Sequence, residues 1–238
     1  MTAIQTARQR ARTELEQVIK ATAGRHLAES GAAALSLRAV ARELGLASSA
    51  LYRYFPSRDA LLTALIVDAY DAVGQSAEDA DAAAVEAGAD PGVRWLAVCR
   101  AVREWAAAHP HDYALVYGSP VPGYAAPAET VTPAIRLSRV MAGVVLAAVA
   151  DGSLRPPLRP LAGPRLVTSA VSELAGGWPE APYEDVLDRS LVLLTALTGT
   201  ISYLLFGHLH QALTDDAAWF DIAMAVAAEG VGLVLPLE

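Results

Sequence analysis

Residues 190–214 run for twenty-five positions without an Asp, Glu, Lys or Arg. A segment so long and uncharged has two ways to fold: as a helix crossing a bilayer, or as a helix buried from several sides. The run contains Thr195, Thr198, Thr200, Ser202, His208, His210 and Gln211, and it is flanked by Asp185, Asp188 and Arg189 on one side and Asp215 and Asp216 on the other. These flanks have no positive-inside asymmetry, so burial in protein is expected and no membrane partner. The surrounding pattern reads as two helices, about 183–213 and 217–235, apolar almost all round. A helix of that kind packs one side on its own protomer and needs a second cover for the other. Together they predict a homodimer joined through the last two helices, as an isologous four-helix interface.

The remaining apolar spacing is also helical. Leu15, Val18, Ile19, Thr22 and Leu27 mark a first amphipathic helix that stops at Gly31. Ser36 stands as N-cap before Leu37, Val40, Ala41 and Leu44, and Gly45 ends that short helix. A second short helix spans about 47–55 and is stopped by Pro56. Ser57 caps the next, which carries Leu61, Leu62, Leu65, Ile66, Ala69 and Val73 on one side. The small, acidic stretch 74–92 reads as a frayed helix end and a linker. Trp95, Val98, Cys99, Val102 and Ala106 form one face of a helix ending at His109-Pro110. Four prolines make 118–133 a loop, and 135–150 and about 162–175 are expected to be helical. No strand alternation and no fixed-period repeat appear. The expected class is all-α.

Charge divides the chain. The net charge is −8, yet residues 1–60 hold nine Lys and Arg against five Asp and Glu, and the other 178 residues carry the acidic excess. A basic head on an acidic body is compatible with a polyanionic partner at one end. The single Cys99 excludes an internal disulfide and a cysteine zinc cluster, and fits a reducing, cytoplasmic setting. The polar, basic N-terminus shows no signal-peptide pattern.

Within the head, residues 35–55 have helix-turn-helix spacing. The first helix buries Val40, Ala41 and Leu44, Gly45 makes the turn, and Leu51 with Phe55 anchors the second helix as an i,i+4 pair. That burial turns Ser48, Ser49, Tyr52 and Arg53 outward. A face of small hydroxyls with one tyrosine and one arginine enters a major groove without clashing and offers donors to bases and phosphates.

Leu-Tyr-Arg-Tyr-Phe-Pro-Ser-Arg-Asp-Ala-Leu-Leu at 51–62, preceded by Ala-Arg-Glu-Leu-Gly-Leu at 41–46, resembles the DNA-binding domain of the tetracycline-repressor (TetR) family. The resemblance covers about residues 12–65. It implies a bacterial transcriptional regulator, a homodimer, with a divergent helical ligand-binding body. Carried over by position, Ser36, Tyr52 and Arg58 are expected at phosphates. Arg38, Ser48, Ser49 and Ala50 are expected at base edges or the groove floor. Arg53 lies on the outward face, and Tyr54 stands where the family frequently has histidine. Arg8, Arg10 and Arg12 resemble a basic arm reaching the flanking groove. Residues 109–124 and 199–209 resemble the WHG type of TetR C-terminal domain, although Thr198 stands where histidine is common and no tryptophan lies just upstream.

The body offers little other chemistry. His109 and His111, beside Asp112, more readily cap a helix end than hold a metal. His208 and His210, two apart on a helix, point away from each other, so no metal site and no cofactor is expected. There is no nucleophile elbow, P-loop or His-Glu-x-x-His, so no catalytic residues are assigned. Trp95, Cys99, Trp105, Tyr113, Tyr117, Met141 and Tyr203 are the candidates for lining an effector pocket, with Arg100, Arg103, Arg136 or Arg139 as counter-charge for an anionic one.

The expected organisation is a helix-turn-helix domain at 1–56, a connecting helix at 57–74 and a helical regulatory and dimerisation domain at 75–238. The expected function is sequence-specific DNA binding, with repression relieved when a small-molecule effector releases the protein from a palindromic operator in double-stranded DNA. The alternative is a helical small-molecule-binding protein or enzyme with a vestigial DNA-binding head.

Overall fold

The computed structural model describes residues 3–156, 161 and 164–235. Among them every regular element is a helix, as the apolar spacing requires. In chain order these are α1 (Ala3–Ser30), α2 (Leu37–Glu43), α3 (Ser48–Leu51), α4 (Arg58–Glu86), α5 (Pro91–Ala108), α6 (Pro110–Tyr117), α7 (Val131–Ala134), α8 (Arg136–Ala150), α9 (Ser169–Leu174), α10 (Val186–Leu205) and α11 (Asp216–Glu229), with 3-10 turns at Ala32–Ala34 and Ala128–Thr130. Two compact units result: Met1–Tyr70 with Pro110–Val131, and Asp71–His109 with Thr132–Glu238.

In the first unit, Ile19, Ala23 and Leu27 of α1 repeat every three to four residues and meet Leu37, Val40 and Ala41 of α2, Leu51, Phe55, and Leu61, Leu62 and Ile66 of α4. Each fully buried Leu or Ile in this cluster contributes about 1.5–3 kcal/mol. Leu115, Val116, Val121 and Tyr124 pack on the same core. The Tyr70 hydroxyl donates to the Val116 carbonyl at 3.2 Å, and the Tyr124 and Thr63 hydroxyls lie 2.9 Å apart. Segment 110–131 therefore sits with the head, which its place in the sequence does not suggest.

In the second unit α4 continues to Glu86, so the linker expected at 74–92 shrinks to 87–90. Gly74 does not end the helix. A Cβ there would lie 2.6 Å from Arg136 Cβ, so the glycine lets α4 and α8 approach closely. The acidic residues that suggested a solvated linker have partners. Arg136 donates to Asp71, Gln75 and Glu78, and Arg94 grips Asp81 at 2.8 and 3.0 Å. The core joins Trp95, Val98, Cys99, Val102 and Ala106 to Leu137, Met141 and Val144, Leu193, Leu197 and Ile201, and Phe220 and Met224. Trp95 Nε1 donates to the Met224 carbonyl at 3.1 Å.

Other expected boundaries also move. Of the helix expected at 162–175, only Ser169–Leu174 is regular. Residues 162 and 163 lie outside the described residues, and 164–168 are irregular, with the Leu166 and Val167 N–H groups donating to Asp188. The helix expected at 183–213 starts at Val186 and ends at Leu205, where Gly207 takes φ 74°. The last helix ends at Glu229 rather than 235. Within the loop expected at 118–133 the 3-10 turn and the start of α7 appear. The uncharged run is therefore not one continuous helix. Among the described residues, Ala128–Ala150 is the stretch long and apolar enough to cross a membrane, and its Leu137, Met141, Val144, Val145 and Ala148 are buried in the second unit.

Helix α10 carries three faces. Leu193, Leu197 and Ile201 are fully or almost fully buried, Leu187, Ser190, Leu191 and Leu194 line a cavity, and Val192, Tyr203 and Phe206 at its end are exposed.

Candidate nucleic-acid interface

The interface is built from the inside outward. Leu51 is fully buried and Phe55 nearly so. Only 48–51 is regular α-helix. Beyond it Arg53 N–H bonds to Ala50 and Tyr54 N–H to Leu51, the tighter i−3 pattern, ahead of Pro56, which disfavours helical backbone at Phe55. The expected helix 47–55 is thus one α-turn followed by tighter turns. Its outward face is as expected: Ser48, Ser49, Tyr52 and Arg53 are exposed, Tyr52 by 43%, and Ala50 is half-buried. Gly45 at φ 65° makes the turn, closed by Leu46 N–H donating to the Ala41 carbonyl at 2.9 Å.

Ser36 takes the N-cap position of α2 with extended backbone, but the expected side-chain cap is not made and the residue is exposed. Arg38 and Arg42 follow on α2, both exposed, i and i+4 on one face. Arg42 was not singled out from the sequence, although its spacing from Arg38 was the available signal. Neither arginine, nor Arg53, forms an ion pair among the described residues. The nearby acid is neutralised instead. Glu43 accepts from His26 and from Arg25 at 2.7 Å, and these two bonds hold its carboxyl below the usual range. The guanidinium groups thus face solvent without a local counter-charge.

Arg58 donates to the Ala32 and Ala33 carbonyls at 2.8 and 3.4 Å and to Asp59 at 3.2 Å, tying the start of α4 to the 3-10 turn. The residues expected as a basic arm reaching the flanking groove lie on α1. Arg12 pairs with Glu16 and lies 5.6 Å from the centre of the half-buried Tyr54 ring, Arg10 is exposed, and the side chain of Arg8 lies outside the described residues.

The seven pocket candidates are divided between the two units. Trp95 and Cys99 fill the core of the second unit, and burial, helped by the Asp221 charge, pushes the Cys99 thiol well up. Trp105 stacks on His109 with centroids 5.7 Å apart. Tyr113 and Tyr117 belong to the first unit, 5.1 Å apart, and burial raises the Tyr117 hydroxyl. Tyr203 is exposed beside His208. Met141 alone among them lines the apolar cavity of about 150 Å³ between α8, α9 and α10. Of the four counter-charge candidates, Arg100 pairs with Asp221, Arg103 covers the Phe220 ring, Arg136 is held by α4, and Arg139 lines that cavity. Among the described residues no three His, Cys, Asp or Glu side chains group as metal ligands. His109 Nδ1 meets the Trp105 carbonyl at 3.0 Å, and His208 and His210 lie in turns after α10.

Comparison with known proteins agrees with this geometry. Residues 19–65 match the profile of bacterial regulatory proteins of the tetR family, and residues 95–227 match a tetracyclin repressor-like C-terminal domain. HTH-type transcriptional regulator Rv1816 of Mycobacterium tuberculosis is 37% identical over 229 residues, covering 93% of this chain and 96% of that protein. Regulator Mb1846 of Mycobacterium bovis matches to the same extent. The crystal structure of regulatory protein SCO4313 superposes with a TM-score of 0.71 at 30% identity, over 93% of this chain and 98% of that one. PfmR, a TetR family transcriptional regulator of Thermus thermophilus, shares the fold at a TM-score of 0.55 and 17% identity, over 92% and 99% of the two chains. The chain therefore belongs to the TetR family of bacterial regulatory proteins and is a DNA-binding transcriptional regulator.

Proposed function

We propose that the protein is a homodimeric repressor that occupies a roughly palindromic operator with the face built by α2 and α3, and that a small molecule releases it. The observation that carries this reading is the exposed Ser48, Ser49, Tyr52 and Arg53 face on a segment anchored by Leu51 and Phe55. In this reading Arg38, Ser48, Ser49 and Ala50 meet base edges, while Ser36, Tyr52 and Arg53 bind phosphates. Tyr54 flanks them. Arg58, with five N–H donors, keeps some for a phosphate beyond those given to the Ala32 and Ala33 carbonyls and to Asp59.

The dimer reading is supported by α10 and α11. Val192 (59% exposed) and Tyr203 (56%) on one, and Ile222 (51%) and Val226 (63%) on the other, leave apolar surface that a twofold partner would cover. A helix-turn-helix reader also needs two heads to reach two half-sites one turn of DNA apart. Residues 109–124 and 199–209 favour a C-terminal domain of the WHG type. The regulator acts in the cytoplasm, needs no cofactor and has no catalytic activity of its own.

Selection of bound duplexes from a random pool at stated salt tests this reading. A palindromic consensus with half-sites one helical turn apart supports it, and recovery of sequences with no common motif overturns it.

A further inference from the structure

We propose that the cavity between α8, α9 and α10 is the effector site, and that it takes a small monocarboxylate with an apolar body about the size of a benzene ring, held at its carboxylate by Arg139. This rests on the ligand-controlled reading above and names the ligand class. The cavity holds about 150 Å³, the size of an engineered apolar cavity that stays dry and accepts benzene. Its walls are mostly aliphatic, with Met141, Ala142, Val171, Leu187 and Leu194 among them. Such a wall drives an apolar body out of water but gives it no orientation.

Orientation must come from the few polar groups in the lining: Ser138, Arg139 and Ser190. The Ser190 hydroxyl is turned onto the Val186 carbonyl at 2.7 Å. Ser138 and Arg139 make no side-chain hydrogen bond among the described residues. The contrast within the same helix is informative. One turn earlier, Arg136 is held by Asp71, Gln75 and Glu78, and Arg94, Arg100 and Arg189 each pair with a carboxylate. Arg139 is exposed and also lines the cavity. Although its charge reaches Glu78, that carboxylate is already bonded by Arg136, so the Arg139 guanidinium at the cavity is available to an anionic ligand. A planar carboxylate fits that fork in bidentate fashion. A neutral ligand forgoes this bond, and a dianion would push a second charge against aliphatic walls.

The same helix links the site to regulation. The cavity stripe of α10 (Leu187, Leu191, Leu194) and its exposed stripe (Val192, Tyr203) are faces of one rigid element, so a ligand that shifts the first moves the surface proposed for dimer pairing.

The test is isothermal titration of the full-length protein with benzoate, its neutral isostere benzamide and the dianion terephthalate. Benzoate is expected to bind saturably, and benzamide and terephthalate at least about tenfold more weakly. Arg139→Gln lowers benzoate to the benzamide level and leaves benzamide unchanged. Ala142→Phe, which fills the cavity, removes both, and thermal melts verify that each variant is folded. No benzoate binding, equal binding of benzamide, or an unaffected R139Q overturns the assignment. Operator titration in parallel separates the two readings. Benzoate that binds through Arg139 without weakening DNA binding overturns ligand control and leaves a carboxylate site. DNA binding with no benzoate heat overturns the site and leaves the regulator.

Discussion

At the scale of single residues, the head separates arginines by what they already hold. Arg25 is engaged by Glu43, and Arg58 by two backbone carbonyls, whereas Arg38, Arg42 and Arg53 have no acidic partner among the described residues. Arg38→Ala is expected to weaken operator binding by about 1–3 kcal/mol, the size of a lost bidentate guanine contact, and to leave random DNA nearly untouched. Arg58→Ala is expected to lower affinity for every sequence and to reduce the salt slope by about one unit, as loss of a phosphate contact does. Fluorescence anisotropy on operator and scrambled duplexes over a salt series measures both. Identical behaviour of the two variants would contradict this division of roles. These outward residues were legible in the sequence because Leu51 and Phe55, four apart, leave one choice for the face opposite them. The engagement of Arg58 was not legible, because its acceptors at 32 and 33 lie two helices away in the chain.

At the scale of elements, buried stripes were legible and helix ends were not. The α5 face of Trp95, Val98, Cys99, Val102 and Ala106 is buried as its spacing requires. The continuation of α4 through Gly74 was hidden because its support comes from Arg136, more than fifty residues away. Two glycine substitutions separate packing from propensity. Gly143→Ala on α8 meets nothing within 4 Å and is expected to stabilise by about 0.5–1 kcal/mol. Gly74→Ala makes the same helix gain but forces a contact at 2.6 Å with Arg136 Cβ, and overpacking of about 1–3 kcal/mol outweighs it. Denaturant melts should move in opposite directions, and a stabilising Gly74→Ala would contradict the close approach of α4 and α8. The Arg136 clamp also has a pH signature. The Arg136 bond holds the Glu78 carboxyl below its ordinary value of 4.5, so its contribution is present above that pH and is lost as pH falls through the lowered value. The stability difference between the protein and Glu78→Gln should therefore shrink in acid. It should stay small throughout, because the pair is partly exposed.

At the scale of the whole molecule, the overall charge of −8 conceals a basic first quarter and an acidic remainder. That division is compatible with a protein that meets DNA only through its head. Pairing through α10 and α11 predicts that Val192→Asp combined with Ile222→Asp gives a 24.9 kDa monomer by sedimentation, with unchanged helicity and weakened operator binding. A double variant that still sediments as a dimer would contradict the proposed interface. Near-complete release by an effector requires about 5.5 kcal/mol of differential affinity between the DNA-competent and released states, so a weakly discriminating ligand gives partial derepression. The most direct measurement is the affinity for a selected operator against a scrambled duplex of equal length at one stated salt, for the protein and for Arg38→Ala combined with Tyr52→Ala. The geometry predicts a preference of about a thousandfold or more for the operator, collapsing in the double variant. Equal affinity for both duplexes, or a preference that survives the double substitution, would contradict DNA reading by the α2–α3 face.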